Sequence, residues 1–196
     1  MTDRPITFCA RDVLALLDGR KAQHRLAIST SNTHFNGRKW PDNLFARCHW
    51  DSAWVDKGPS PAGNPGPYLK VEWPYECDEL LVARVYPMWR RGDRLWVREA
   101  WCDTLHGPAY RASWGIEQAW KSPATMPRWA SRFTLTVTKV RVQRLQNISD
   151  DDAMAEGDTD RSSFARRWNS IHGLGSWDAN PWVCALTFTV EKEGEE

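Results

Sequence analysis

Apolar and polar positions alternate most cleanly after the Gly92-Asp93 turn, where Leu95 and Val97 interleave with Arg94, Trp96 and Arg98. That period of two predicts a strand with one core face and one face carrying two Arg and a Trp. Glu99 falls where the core face would continue, so its carboxylate must be paired, solvated in a cleft, or used. Phe133 to Leu145 is the longest strand candidate. Phe133, Leu135 and Val137 share one parity, Val140 and Val142 take the other, and the switch predicts a bulge or bend that curls a sheet. Trp182, Cys184, Leu186, Phe188 and Val190 predict a final strand with a fully apolar face. Tyr68–Trp73 and Leu80–Tyr86 read as a hairpin leading into the Gly92 strand, and Ile6–Cys9 and Tyr110–Ala112 as short strands.

Helical spacing is rarer. Val13, Leu14, Leu16 and Leu17 predict a helix over 11–18, closed by Gly19. Ser149 followed by Asp150, Asp151 and Asp152 predicts a short helix ended by Gly157. Glu156 then sits on the last turn, where the helix dipole disfavours a carboxylate, so it is either loosely solvated or held by a cation. Phe164, Trp168 and Ile171 mark a third helix over 163–171. Residues 29–67 show no period and are rich in Ser, Asn, Gly and Pro, which predicts a long, loop-rich insertion with Trp40, Trp50 and Trp54 folding back onto the body. The sum is one α+β domain over 1–196, a small, partly closed β-barrel of about six strands with about three short helices at one side.

Charge narrows the function classes. Lys plus Arg number 26 and Asp plus Glu 25, which excludes a strongly cationic nucleic-acid coat but leaves room for a local basic cleft. The 13 Trp outnumber the 6 Phe and 4 Tyr, and each indole N–H needs a partner, so some Trp should line a groove and stack on flat ligands. Five cysteines without a C-x-x-C pair fit reduced thiols in a cytoplasm. Cys48-His49 with Cys77 or Cys102 lacks zinc-ligand spacing, so neither a metal nor a cofactor is expected. No apolar run is long enough to span a membrane, and the N-terminus does not read as a signal peptide.

Lys21 and His24 follow the first helix. They either complement its dipole, as cations there do, or face a pocket. Gly19-Arg20-Lys21, the Gly92-Asp93 strand opening, and Ile148-Ser149 opening a helix that ends at Glu156-Gly157 together resemble the ASCH domain (activating signal cointegrator homology) of the PUA-like superfamily. The fuller pattern adds Met126–Arg132, Arg141–Gly157 and Trp177–Trp182, and is similar to longer ASCH proteins of phages and prophages. The resemblance implies a PUA-like barrel with a cleft for RNA or modified nucleobases. Some small bacterial members remove the acetyl group from N4-acetylcytidine with a Lys, a Thr and a Glu. Lys21 and Glu156 match the Lys and the Glu, while His24 stands at the Thr position and Ala22 replaces a second Thr.

Three functions follow as expectations. The first is binding of a nucleobase, modified nucleoside or single-stranded nucleic acid, RNA favoured. Arg25, Trp96, Arg98, Arg128, Trp129, Arg132, Trp177 and Asn180 are its candidate contacts, aromatic faces for bases and cations for phosphate. The second is an amidohydrolase using Lys21, His24 and Glu156, with Glu99 pairing with or orienting Lys21. The third is a phage accessory protein that meets a host protein through 29–67.

Overall fold

The computed structural model describes residues 3–36, 38–41, 43–58, 66–74, 80–114 and 118–193. Most of the expected turn at 74–78, most of the run 58–67, part of the irregular stretch 113–121, the tail 194–196 and Cys77 lie outside the described residues.

Five strands, β1 (Asp3–Thr7), β2 (Gln23–Ala27), β7 (Arg94–Arg98), β10 (Phe133–Arg144) and β11 (Trp182–Lys192), form the principal sheet. Their order is β1-β7-β10-β11-β2, with β1 parallel to β7 and the other pairs antiparallel. β3 (Thr33–Phe35), β4 (His49–Asp56), β5 (Tyr68–Pro74) and β6 (Leu80–Pro87) form a second sheet in the order β3-β6-β5-β4, and β8 (Trp101–Thr104) with β9 (Gly107–Tyr110) a small hairpin. Helices α1 (Ala10–Leu17), α2 (Leu44–Arg47), α3 (Asp150–Ala155) and α4 (Arg161–His172) complete an α+β fold that is mostly sheet. Among the described residues no sheet closes into a barrel, because β1 and β2 end the principal sheet as edges.

The parity switch in β10 coincides with a register shift between Val137 and Lys139. Before it, Phe133, Leu135 and Val137 pack with Ile6, Phe8, Leu95, Val97 and α1's Val13 and Leu16; beyond it, Val142 joins a second core. That second core corrects the expectation for 29–67. Phe35, Trp40, Leu44 and Cys48 pack there with Leu69, Val71, Ala83 and Val85, so the segment supplies two strands and a helix instead of an irregular insertion. A break in register between His49 and Trp54 hides the alternation in β4, and stacked Trp40, Phe45 and Trp50 replace a simple apolar period. The Tyr68–Tyr86 hairpin forms, but in this second sheet and not beside β7. β7 is covered on both faces, with Trp96 buried beside Leu95 and Val97, so its predicted polar face is polar only at its ends.

Candidate functional site

The site begins with how α1 ends. Gly19 takes a φ of +70°, and the amides of Arg20 and Lys21 both donate to the Ala15 carbonyl at 2.9 and 3.0 Å. The chain therefore turns back under α1 and carries Lys21 inward. Across from it, Ser149 caps α3 by accepting from the Asp152 amide, and Gly157 ends α3 at a φ of +90°. Lys21 pairs with Glu156 in an isolated bridge, and the Ala22 amide donates to the Ala155 carbonyl at 2.7 Å. The start of β2 is thereby fastened to the end of α3. The contact is close: a Cβ on Gly157 would lie 2.7 Å from that of Ala15.

Lys21 is buried and donates to the Glu156 carboxylate at 2.9 Å and to its carbonyl at 3.0 Å, with Asp12 Oδ1 at 3.2 Å. This is the cation the helix-end carboxylate requires. Arg25 donates from Nη1 to Glu156 Oε1 at 3.1 Å and from Nη2 to Asp152 at 2.6 Å. Arg167 of α4 donates to Asp12 at 3.2 Å and to Asp158 at 2.7 Å, and its Nη2 lies 3.5 Å from Glu156. Every buried charge here has an opposite neighbour, without which burial would cost several kcal/mol.

Burial alone would raise the Glu156 and Asp12 carboxyls, but the Lys21 ammonium, with Arg25 and Arg167 respectively, holds them below the ordinary carboxylate range. Both are anions at neutral pH. Burial and then Lys21 push the His24 imidazole down to about 4, so it is neutral. Its ring packs on Phe8 at 4.6 Å and its Nδ1 lies 3.9 Å from Glu156 Oε2. Nδ1 is sealed without a hydrogen-bond partner, and the His24 side chain lines the adjoining cavity. A neutral imidazole of that kind can accept a proton or a hydrogen bond.

That cavity, of about 480 Å³, lies between β2, the start of α1 and α4, and matches a small organic ligand in size. Asp12, His24, Arg25, Glu156 and Arg167 form its polar wall; Phe164, Trp168 and His172 form an aromatic one. His172 stacks on Trp168 at 4.0 Å. The sealed indole N–H of Trp168 and Arg25 Nε also lack partners.

His24, Arg25 and Glu156 thus line one cavity, and Lys21 is brought to the same cluster but buried behind Glu156 and Asp12. Glu99 does not join them. Its carboxylate is gripped by Arg132, Nε to Oε1 at 2.8 Å and Nη2 to Oε2 at 2.9 Å, which corrects the expected pairing with Lys21. Glu99 follows β7 beyond the sheet core, whereas Asp12, one turn before Ala15 on α1, already occupies Lys21. Burial raises the Glu99 carboxyl against the pull of Arg132.

The other candidates do not line this cavity. Trp96 is buried beneath Arg98, whose guanidinium lies 4.6 Å from its ring. Arg128 forks onto Glu193 at 2.6 and 3.0 Å, and Arg132 is spent on Glu99. Trp177 packs edge-on to Phe164, and Asn180 accepts from the Gln146 amide. Trp129 is exposed, beside Trp101. Sequence reasoning missed Asp12, Asp158 and Arg167. Arg167 was findable: it lies three residues after Phe164, on the side of α4 that faces the core. Among the described residues no group of three or more His, Cys, Asp or Glu is placed to hold a metal ion, and no helix is long and apolar enough to cross a membrane.

Comparison with protein-family models, with curated proteins and with solved structures found no match to this chain.

Proposed function

We propose that the chain is a PUA-like protein of the ASCH type whose cavity binds a nucleobase or modified nucleoside in a reducing cytoplasm. In this reading the principal sheet, bent at Val137–Lys139, is the open side of a PUA-like barrel. The observation that carries the reading is that His24 and Glu156, the latter held from behind by the buried Lys21, line a cavity that also offers aromatic faces from Phe164 and Trp168. A base stacks on such faces, and the neutral His24 and the Arg25 and Arg167 donors read its polar edge. Calorimetric titration with cytidine, N4-acetylcytidine, uridine and adenosine tests this. Binding of at least one nucleoside, abolished by His24→Trp, is expected; no heat with any of the four, or binding untouched by His24→Trp, overturns it.

A second reading is favoured by one observation, the neutral His24 beside an ionised Glu156. His24 Nε2 would take a proton from water as its oxygen bonds to the acyl carbon of an N4-acylated cytosine. The proton would then pass to the departing amine nitrogen as the C–N bond breaks, releasing the free base and a carboxylic acid. Lys21, clamped between two carboxylates, acts here as a positioning residue for Glu156. Chromatography of N4-acetylcytidine incubations should show released cytidine, lost in His24→Ala and Glu156→Gln. Turnover that survives both changes excludes this chemistry.

A further inference from the structure

We propose that a second, separate groove, running along the bulged segment of β10, binds the sugar-phosphate backbone of a single-stranded nucleic acid. Two cavities of about 860 and 480 Å³ share Gly66, Pro67, Lys139 and Val140 and so form one groove between the principal sheet and the second sheet. Arg90, Arg91 and Lys139 line it, with Lys57 farther along, and no carboxylate does so among the described residues.

These four cations differ from those of the first site. Lys21, Arg25 and Arg167 each have a carboxylate within 3.2 Å, whereas Lys57, Arg90, Arg91 and Lys139 have no ion pair among the described residues; Arg141, which also lines the groove, is the exception, paired with Asp152 at 2.9 Å. In a chain of nearly balanced charge, 26 basic against 25 acidic residues, that concentration of unpaired positive charge is a local basic patch.

The patch is also held in place. The Gly92 amide donates to the Val137 carbonyl at 2.7 Å, and the Val137 amide donates to the Asp93 carbonyl at 2.9 Å. The turn carrying Arg90 and Arg91 is thereby pinned to the point where β10 slips register, and Thr138 and Lys139 there are both exposed. The bulge therefore does more than bend the sheet: it puts Lys139 next to two arginines on a fixed support. Trp89, half buried against the core, and Tyr86, stacked on Tyr68 at 5.1 Å, give the groove aromatic walls on which bases stack. Cations for phosphate together with rings for bases are what single strands use. The choice of nucleic acid over another polyanion rests in part on reading the first cavity as a nucleobase site.

The test is fluorescence anisotropy with labelled oligo(U) and oligo(dT) of about twelve nucleotides, with heparin as a polyanion without bases. Three phosphate contacts give a slope of log association constant against log salt of roughly −2, so binding weakens about 20-fold between about 50 and 200 mM salt. The Arg90→Gln/Arg91→Gln/Lys139→Gln variant should lose at least about tenfold in affinity at the lower salt and flatten the slope. It should keep the wild-type circular dichroism and melting temperature, and its nucleoside binding in the first cavity should be unchanged. Trp89→Ala separately removes a stacking face and should weaken the oligonucleotides but not heparin. The proposal is overturned if neither oligonucleotide binds at the lower salt, if the triple variant binds as tightly as the wild type, or if Trp89→Ala weakens heparin equally. Oligonucleotide binding without nucleoside binding would leave the groove standing and remove the first cavity's reading.

Discussion

Burial and the nearby Lys21 keep the His24 imidazole near a pKa of about 4, against 6.5 for a free histidine. Between those values the unfolded chain binds a proton that the folded chain refuses, so stability rises with pH across this window and falls as pH drops from 6.5 towards 4. The full shift corresponds to at most about 3 kcal/mol. The depressed carboxyls of Asp12 and Glu156 act in the same direction but lower, losing their contribution as pH falls below the unfolded carboxylate range. Urea titrations at stepped pH should therefore show stability declining already below about pH 6.5, and His24→Gln should remove that upper part of the decline. An identical profile in the variant would mean that His24 does not titrate this way. Lys21→Met probes the same cluster differently. It leaves Glu156 and Asp12 buried with one cation fewer, and a loss of about 3–5 kcal/mol is expected from chemical denaturation. At this scale the sequence is informative for Glu156, because a carboxylate at a helix C-terminus is either solvated or held by a cation, and burial leaves the second. It is silent on Asp12, which reads as an ordinary first-turn acid of α1.

The junction of α1 with α3 gives the cluster its geometry, and glycine decides it. At Gly157 an added methyl meets Ala15 at 2.7 Å and the φ is +90°; at Gly19 the φ is +70° but nothing lies within 4 Å. Gly19→Ala should therefore cost only about 1 kcal/mol of backbone strain. Gly157→Ala adds overpacking, about 1–3 kcal/mol more, and must also push α3 from α1, so it should weaken ligand binding in the first cavity as well as stability. Equal losses in the two variants, with binding intact in both, would contradict this. Elements with an unbroken period are legible in the amino-acid pattern: α1, the hairpin β5–β6, β11 and the bend in β10. β2 is not, because Gln23, His24 and Arg25 read as a solvated basic run. Gln23 and Arg25 are instead held by Asp152 and Glu156, partners more than a hundred residues away. Glu99 is opaque for the converse reason, since its need for a partner is plain but Arg132, 33 residues on, is not selected by any spacing.

Among the described residues the two larger sheets meet along β10, and the joint is narrow enough to test. Trp50 of β4 offers one carbonyl to two donors from the principal sheet, Arg144 Nη2 at 3.0 Å and Trp182 Nε1 at 2.9 Å, while the Arg144 guanidinium lies over the Trp182 ring at 4.6 Å. Val142 supplies the apolar part of the contact from β10 itself. None of this is visible as a pattern, because the Trp50 segment shows no period and Trp182 reads simply as the first position of the last strand. The tryptophans nonetheless mark the segment, because their N–H groups need partners: Trp40 donates to Thr33 and Trp50 to the Phe45 carbonyl, so two of the three close the second sheet's core instead of meeting a ligand. If the joint holds the second sheet in register, Arg144→Ala should loosen that sheet selectively. Losing one charge-assisted bond and the ring contact amounts to roughly 1.5–3 kcal/mol, equivalent to about 10- to 100-fold faster amide exchange in β4, β5 and β6. The amides of β7, and of β11 from Cys184 onward, should keep their protection, because the core they share with α1 does not include Arg144. Uniform acceleration across both sheets would instead mean that they unfold as one cooperative unit, and then the groove along β10 could not open or close independently of the site at α1 and α3.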